Sequence, residues 1–145
     1  EEARRAKEKT GSGINLLGVT VLTSFDDASW EEVAPGCSLS LALEKRASLC
    51  RETGMDGIVC SPLDLPVVTA AGKGLFTVVP GVRPASVNDD QARTATPAKT
   101  IGSGADYIVV GRPIVNAPDR IAAVRTIAAA VEEGLSWRSR QCSNG

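Results

Sequence analysis

Two arginines stand beside glycines at the ends of predicted strands. Arg83 lies in the segment VVPGVRP, and Arg112 follows Gly111 directly after the apolar run ADYIVV. A guanidinium donates charge-assisted hydrogen bonds to a phosphate or carboxylate, and a glycine lets backbone N–H groups approach it. Parallel α/β folds bind ligands at the carboxyl ends of their strands. The pattern predicts an anion site, although two strand-end turns with solvated arginines explain these residues equally well.

Two other segments carry polar groups that could reach a ligand at the same edge. Gln91 lies between Pro84 and Thr96, in a connection that is long for a strand–helix loop. Long loops in compact domains often act as lids. Thr23 and Ser24 follow the first predicted strand, where a hydroxyl can hydrogen-bond a ligand ring. A merely polar loop and local capping of the next helix are alternatives at least as good.

The remaining residue types offer no acid–base centre. The chain has no histidine, which excludes Ser-His and Cys-His nucleophile pairs and most zinc sites. The four cysteines have no C-x-x-C spacing, and Cys60 in a strand is expected to be a buried thiol. Asp56 and Asp106 precede strands, so we interpret both as structural residues on the opposite edge. We therefore expect no catalytic residue, no metal site and no cofactor.

Length, charge and composition narrow the class of protein. A chain of 145 residues predicts one domain, but it is short for a closed (β/α)₈ barrel of roughly 250 residues. A net charge of −1 and an aromatic content of 3% argue against nucleic-acid and membrane-surface partners. Scattered thiols, a charged N-terminus and no apolar run of about 20 residues favour a cytoplasmic protein.

Apolar runs alternate with helical patterns along the chain, in the order α-βαβαβαβα. This alternation predicts parallel strands with right-handed crossovers. The predicted strands cover residues 14–22, 55–60, 75–79 and 105–110. The main predicted helices cover residues 1–9, 38–53, 96–103 and 119–133, with weaker ones at 27–33 and 61–72. Residues 1–134 would form the folded unit, and the polar residues 135–145 a loosely ordered tail.

Five of these blocks, in matching order between about residues 16 and 127, resemble the C-terminal half of bacterial-type orotidine 5′-phosphate decarboxylase. They are LLGVTVLTS (16–24), GMDGIVCS (54–61), VVPGVRP (78–84), DDQARTATPAKTI (89–101) and GADYIVVGRPI (104–114). The family fold is a TIM (β/α)₈ barrel, and the blocks are similar to its last four βα units. The resemblance thus implies an α/β fold that is a parallel (βα)₄ half of a TIM barrel.

The resemblance also implies roles for particular residues. Thr23 resembles the family's hydroxyl residue at the pyrimidine ring. The residues that resemble the family's phosphate-binding set are Arg83, Gln91, Gly111 and Arg112. Of these, Gln91 lies on the loop that closes over the phosphate in the family. The implied ligand is phosphate or a pyrimidine nucleotide monophosphate, and the implied context is pyrimidine biosynthesis.

The catalytic motif of the family has no counterpart in this sequence. That chemistry is cofactor-free and uses a D-x-K-x-x-D motif with further Asp and Lys residues. No D-x-K-x-x-D occurs in the 145 residues, and Lys45, Lys73 and Lys99 have no acids placed to rebuild it. We therefore expect the chain alone not to catalyse decarboxylation.

Three functions remain open from the sequence. The first is a half-barrel that binds a nucleotide monophosphate and is inactive alone. The second is the C-terminal piece of a split or truncated active decarboxylase. The third is a small α/β interaction module whose similarity is due to chance. A four-stranded half-barrel would leave two unpaired edges and a bare apolar face, so we also expect a homodimer that completes the barrel.

Overall fold

The computed structural model describes residues 1–84 and 95–143, and these residues contain one four-stranded sheet. Its elements in chain order are α1 (Glu2–Thr10), β1 (Leu17–Val19), α2 (Asp27–Val33), α3 (Leu39–Glu52), β2 (Gly57–Val59), α4 (Leu65–Ala71), β3 (Phe76–Val79), α5 (Pro97–Gly102), β4 (Tyr107–Ile108), α6 (Arg112–Val115) and α7 (Arg120–Ser143). Within these residues, no helix is both long enough and apolar enough to cross a membrane.

The sheet is parallel throughout and follows the chain order β1-β2-β3-β4. This arrangement confirms the predicted fold class, four βα units of a barrel-like sheet. The strands are shorter than the apolar runs that predicted them. An apolar run indicates which residues are buried, whereas a strand extends only as far as its backbone hydrogen bonds to the neighbouring strand. The pairing of β1 with β2, for example, covers three residues only.

The two faces of the sheet differ sharply in exposure. Ile58, Thr77 and Val79 point toward the helices and are buried beneath α3 and α4. The other face carries Val19 and Tyr107, whose exposed fractions are 60% and 59%. This second face corresponds to the inside of a barrel. In the single chain it is open to solvent.

Residues suited to capping stand at several helix ends. Gly11 and Gly54 adopt left-handed φ values of 61° and 70° after α1 and α3. The hydroxyl of Thr96 accepts a hydrogen bond from the backbone N–H of Lys99, and Pro97 opens α5. These residues determine where α1 and α3 end and where α5 begins.

The C-terminal segment differs from the expectation of a loosely ordered tail. Helix α7 continues through Ser143, and its second half packs on α5. Gly134 makes this possible, because a Cβ there would lie 2.5 Å from the carbonyl oxygen of Ala98. Trp137 covers Gly102, and Arg138 lies 3.7 Å from the carboxylate of Asp106. The polar composition of the segment suits a helix with one packed face, so polarity alone was a poor guide to order.

Candidate functional site

A cleft of about 890 Å³ lies at the carboxyl edge of the sheet. It is lined by residues that follow each of the four strands, and these include Thr23, Arg83 and Arg112. Three of the five predicted site residues therefore meet in one place. Gly111 immediately precedes Arg112, whereas Gln91 lies outside the described residues.

Hydrogen bonds before and after Thr23 in the sequence hold it at the cleft. Before it, the backbone N–H and the hydroxyl of Thr20 both donate to the carbonyl oxygen of Val59, at 3.2 and 3.0 Å. After it, Asp26 caps α2 in a reciprocal capping box with Ser29. Helix α2 is thus capped by Asp26 and not by the Thr23 hydroxyl, which is exposed at the cleft.

Arg83 is presented by a short stiff loop after β3. Gly81 takes a left-handed φ of 79°, which turns the chain, and the next residue, Val82, is buried in the core. The backbone N–H of Arg83 then donates to the carbonyl oxygen of Ala95 at 3.2 Å. The backbone of Arg83 is therefore held by buried Val82 before it and by the hydrogen bond to Ala95. Because this backbone is already ordered, binding a ligand costs less conformational entropy.

Gly111 and Arg112 are placed by the end of β4. The N–H of Val109 donates to the carbonyl oxygen of Val79 at 2.9 Å, which continues the parallel pairing to the sheet edge. The chain then turns at Gly111 into the short helix α6, which the sequence did not predict. A Cβ added to Gly111 would meet no atom within 4 Å. The packing of the described residues therefore leaves free space beside its backbone.

In the described lining of the cleft, Arg83 and Arg112 are the positive groups. Both side chains are exposed, and neither forms an ion pair within residues 1–84 and 95–143. A guanidinium without a carboxylate partner keeps its donors free for an incoming anion. Arg83 and Arg112 come from neighbouring strands, so both can act on one ligand.

Other residues line the cleft without having been predicted. Ser61 and Asp64 follow β2 at the same edge, and Phe25 and Val67 add apolar wall. The sequence did carry a signal for Ser61 and Asp64, because both follow a buried strand at its carboxyl end. That position is the same one that singled out Thr23.

The two strand-preceding aspartates lie on the opposite edge, as predicted, and have structural partners. Asp56 accepts hydrogen bonds from the N–H of Leu16 and from Lys7 Nζ, each at 2.7 Å. The Leu16 N–H and then the Lys7 ammonium lower the pKa of the Asp56 carboxyl. Asp106 accepts from the N–H of Thr77 at 2.9 Å.

Asp56 should make the folded state less stable as the pH falls into the acid range. Its folded-state pKa lies below the unfolded value of about 3.9, so its stabilising contribution is present above that value and is lost as pH falls through the folded pKa. We expect the thermal midpoint to drop less between pH 6 and pH 2.5 in Asp56→Asn than in the parent chain. Glu44→Gln, on an exposed part of α3, is the matched control. Equal drops in the parent and in Asp56→Asn would contradict this role.

Cys60 is not available as a nucleophile. The thiol is fully buried, and burial, with a smaller effect of the Asp64 carboxylate, raises its pKa to about 12. The thiol therefore stays protonated at neutral pH. This confirms the expectation of a buried strand cysteine.

The family model for orotidine 5′-phosphate decarboxylase / HUMPS matches residues 1–127 of the chain. The chain belongs to this family. It is 49% identical over 131 residues to an orotidine 5′-phosphate decarboxylase of Anaeromyxobacter dehalogenans, covering 89% of this chain and 58% of that protein. It is 43% identical over 134 residues to the enzyme of a Methylobacterium species, covering 90% and 57%. The predicted resemblance is thereby confirmed.

Solved structures of the family share the fold. The Lactobacillus acidophilus orotidine 5′-phosphate decarboxylase superposes with a TM-score of 0.67 at 33% identity, over 83% of this chain and 50% of that one. The Pyrococcus horikoshii enzyme, at 19% identity and a TM-score of 0.65, shows the same fold. The chain spans about half the length of these family members.

Proposed function

We propose that the cleft binds a pyrimidine nucleoside monophosphate. In this proposal Arg83, Gln91, Gly111 and Arg112 surround the phosphate, and the Thr23 hydroxyl contacts the pyrimidine ring. The observation that carries the proposal is that two arginines from neighbouring strands, free of ion pairs in the described part of the chain, line the same cleft as Thr23. Family membership supports the same assignment.

Calorimetric titration with uridine monophosphate and with uridine tests this proposal. Because the two arginines act on the phosphate, we expect saturable binding of the monophosphate and at least about 10-fold weaker binding of the nucleoside. Equal affinity for the two compounds, or no heat with either, would count against a phosphate site in this cleft.

We further propose that the chain on its own does not decarboxylate orotidine 5′-phosphate. The described cleft contains Asp26, Asp27 and Asp64 but no lysine. The 145 residues also lack the D-x-K-x-x-D motif that the family resemblance leads one to expect. A site with two arginines and no lysine–carboxylate network can hold the anion but offers no proton donor for the carbon that loses carbon dioxide.

A second function has support from the length of the relatives. The chain covers 58% of the Anaeromyxobacter protein, so an active decarboxylase would need further residues that supply the motif. Under this proposal the present chain is one part of a working enzyme in pyrimidine biosynthesis. The third possibility, chance similarity of a small interaction module, is inconsistent with the family match over residues 1–127.

The exposed inner face supports a proposal about assembly. Val19 and Tyr107 lie exposed on that face, and among the described residues β1 and β4 each have a strand neighbour on one side only. A homodimer that pairs β1 of one protomer with β4 of the other would close both edges into an eight-stranded ring. We expect light scattering to give twice the 15.1 kDa chain mass. A monodisperse monomer would contradict this assembly.

A further inference from the structure

Arg46 connects both ends of the segment that carries Thr23. The guanidinium Nη1 donates to the carbonyl oxygen of Thr20 at 3.2 Å, where β1 ends. Its Cζ also lies 4.9 Å from the ring centroid of Trp30, inside α2. A single side chain from α3 therefore contacts the last residues before the Thr23 segment and the helix that follows it.

Trp30 also contacts a residue that lines the cleft. The indole is 5% exposed, and its Nε1–H donates to the carbonyl oxygen of Cys37 at 2.9 Å. The ring of Phe25, which lines the cleft, meets Trp30 edge-on with 5.7 Å between centroids. Arg46, Trp30 and Phe25 thus form a continuous series of contacts from α3 to the cleft.

We propose that Arg46 is a positioning residue for nucleotide binding: by fixing residues 20–25 from outside the cleft, it orients the Thr23 hydroxyl toward the pyrimidine ring. This inference rests on the proposed function. Arg46 does not belong to the described cleft lining, so it acts through the segment and not on the ligand. Its effect should therefore fall on recognition of the base and leave recognition of the phosphate unchanged.

The chemistry of the contact requires arginine and not simply a positive charge. A guanidinium is planar, so it can stack on the indole while one of its N–H groups reaches a carbonyl oxygen. A lysine ammonium is a point charge with a strong hydration shell and cannot make both contacts in the same way. Arg46→Lys keeps the charge and removes the planar group, which separates positioning from long-range attraction of the phosphate.

The test compares two ligands in one protein. For Arg46→Lys we expect affinity for uridine monophosphate to fall about 5- to 10-fold, with affinity for ribose 5-phosphate unchanged within about 2-fold. Lys45→Ala removes the neighbouring exposed charge on α3 and should bind both ligands like the parent chain. Unchanged affinity for uridine monophosphate in Arg46→Lys, or equal loss for both ligands, would overturn the inference.

Hydrogen exchange decides the same point without a ligand. Arg46→Lys should speed amide exchange in residues 20–25 and leave α5 and α7 at parent rates. Unchanged exchange in residues 20–25 would overturn the inference even if the binding data agreed. If residues 20–25 exchange faster in Arg46→Lys but the parent chain binds neither ligand, Arg46 fixes the segment and it is the proposed function that fails. The two failures are therefore distinguishable.

Discussion

Arg112→Ala should weaken binding of uridine monophosphate by about 10- to 100-fold. In the proposed site, the change removes charge-assisted hydrogen bonds to the phosphate, each of which contributes about 1.5–3 kcal/mol. Arg112 lines the cleft and has no ion pair in residues 1–84 and 95–143, so the loss is not offset by freeing a carboxylate partner there. Calorimetry at fixed ionic strength measures the change, since salt screens such contacts.

Two matched variants make the Arg112 result specific. Arg112→Lys keeps the charge but loses the planar fork, and we expect an intermediate affinity. Arg120→Ala removes an exposed arginine at the start of α7, away from the cleft lining, and should bind like the parent chain. If Arg112→Ala bound as tightly as Arg120→Ala, the phosphate assignment of Arg112 would be wrong.

Co-expression with the N-terminal half of a relative should restore decarboxylase activity. The described residues present two open sheet edges and an exposed apolar face. We expect the donor half to supply the remaining strands and the D-x-K-x-x-D motif. The Anaeromyxobacter dehalogenans protein is a suitable donor at 49% identity. We expect turnover of orotidine 5′-phosphate at least about 10³-fold above that of the chain alone.

The co-expression experiment needs one control variant in the donor half and one in the present chain. Replacing the lysine of the donor's motif by alanine should abolish the restored turnover. Arg112→Ala in the present chain should lower it while leaving the complex intact by size-exclusion chromatography. A stable complex of the two unaltered halves without turnover would contradict the second function.

The architecture was predictable because its signals are local. Apolar β-branched runs marked the strands. Gly11 and Gly54 marked helix ends through left-handed backbone geometry that favours glycine, and Thr96 marked one through a hydroxyl that caps the helix. The packed end of α7 was not predictable in this way. It depends on Gly134 meeting the backbone of Ala98, a contact between residues far apart in sequence that no periodicity reveals.

The site was predictable to the extent that it follows strand ends. Thr23, Arg83 and Arg112 stood out because residue type and position agreed, and the structure brings them to one cleft. Asp64 occupies an equivalent position, but its short loop carried no arginine or glycine pattern to draw attention to it. The contact of Arg46 with Thr20 joins two elements through a backbone carbonyl and left no mark in the sequence.

A single calorimetric titration with orotidine 5′-phosphate shows whether this chain binds the nucleotide without decarboxylating it. We expect a saturable binding heat followed by a flat baseline, with no carbon dioxide released. The absence of saturable heat would contradict the binding site, and a sustained heat with release of carbon dioxide would contradict the absence of catalysis.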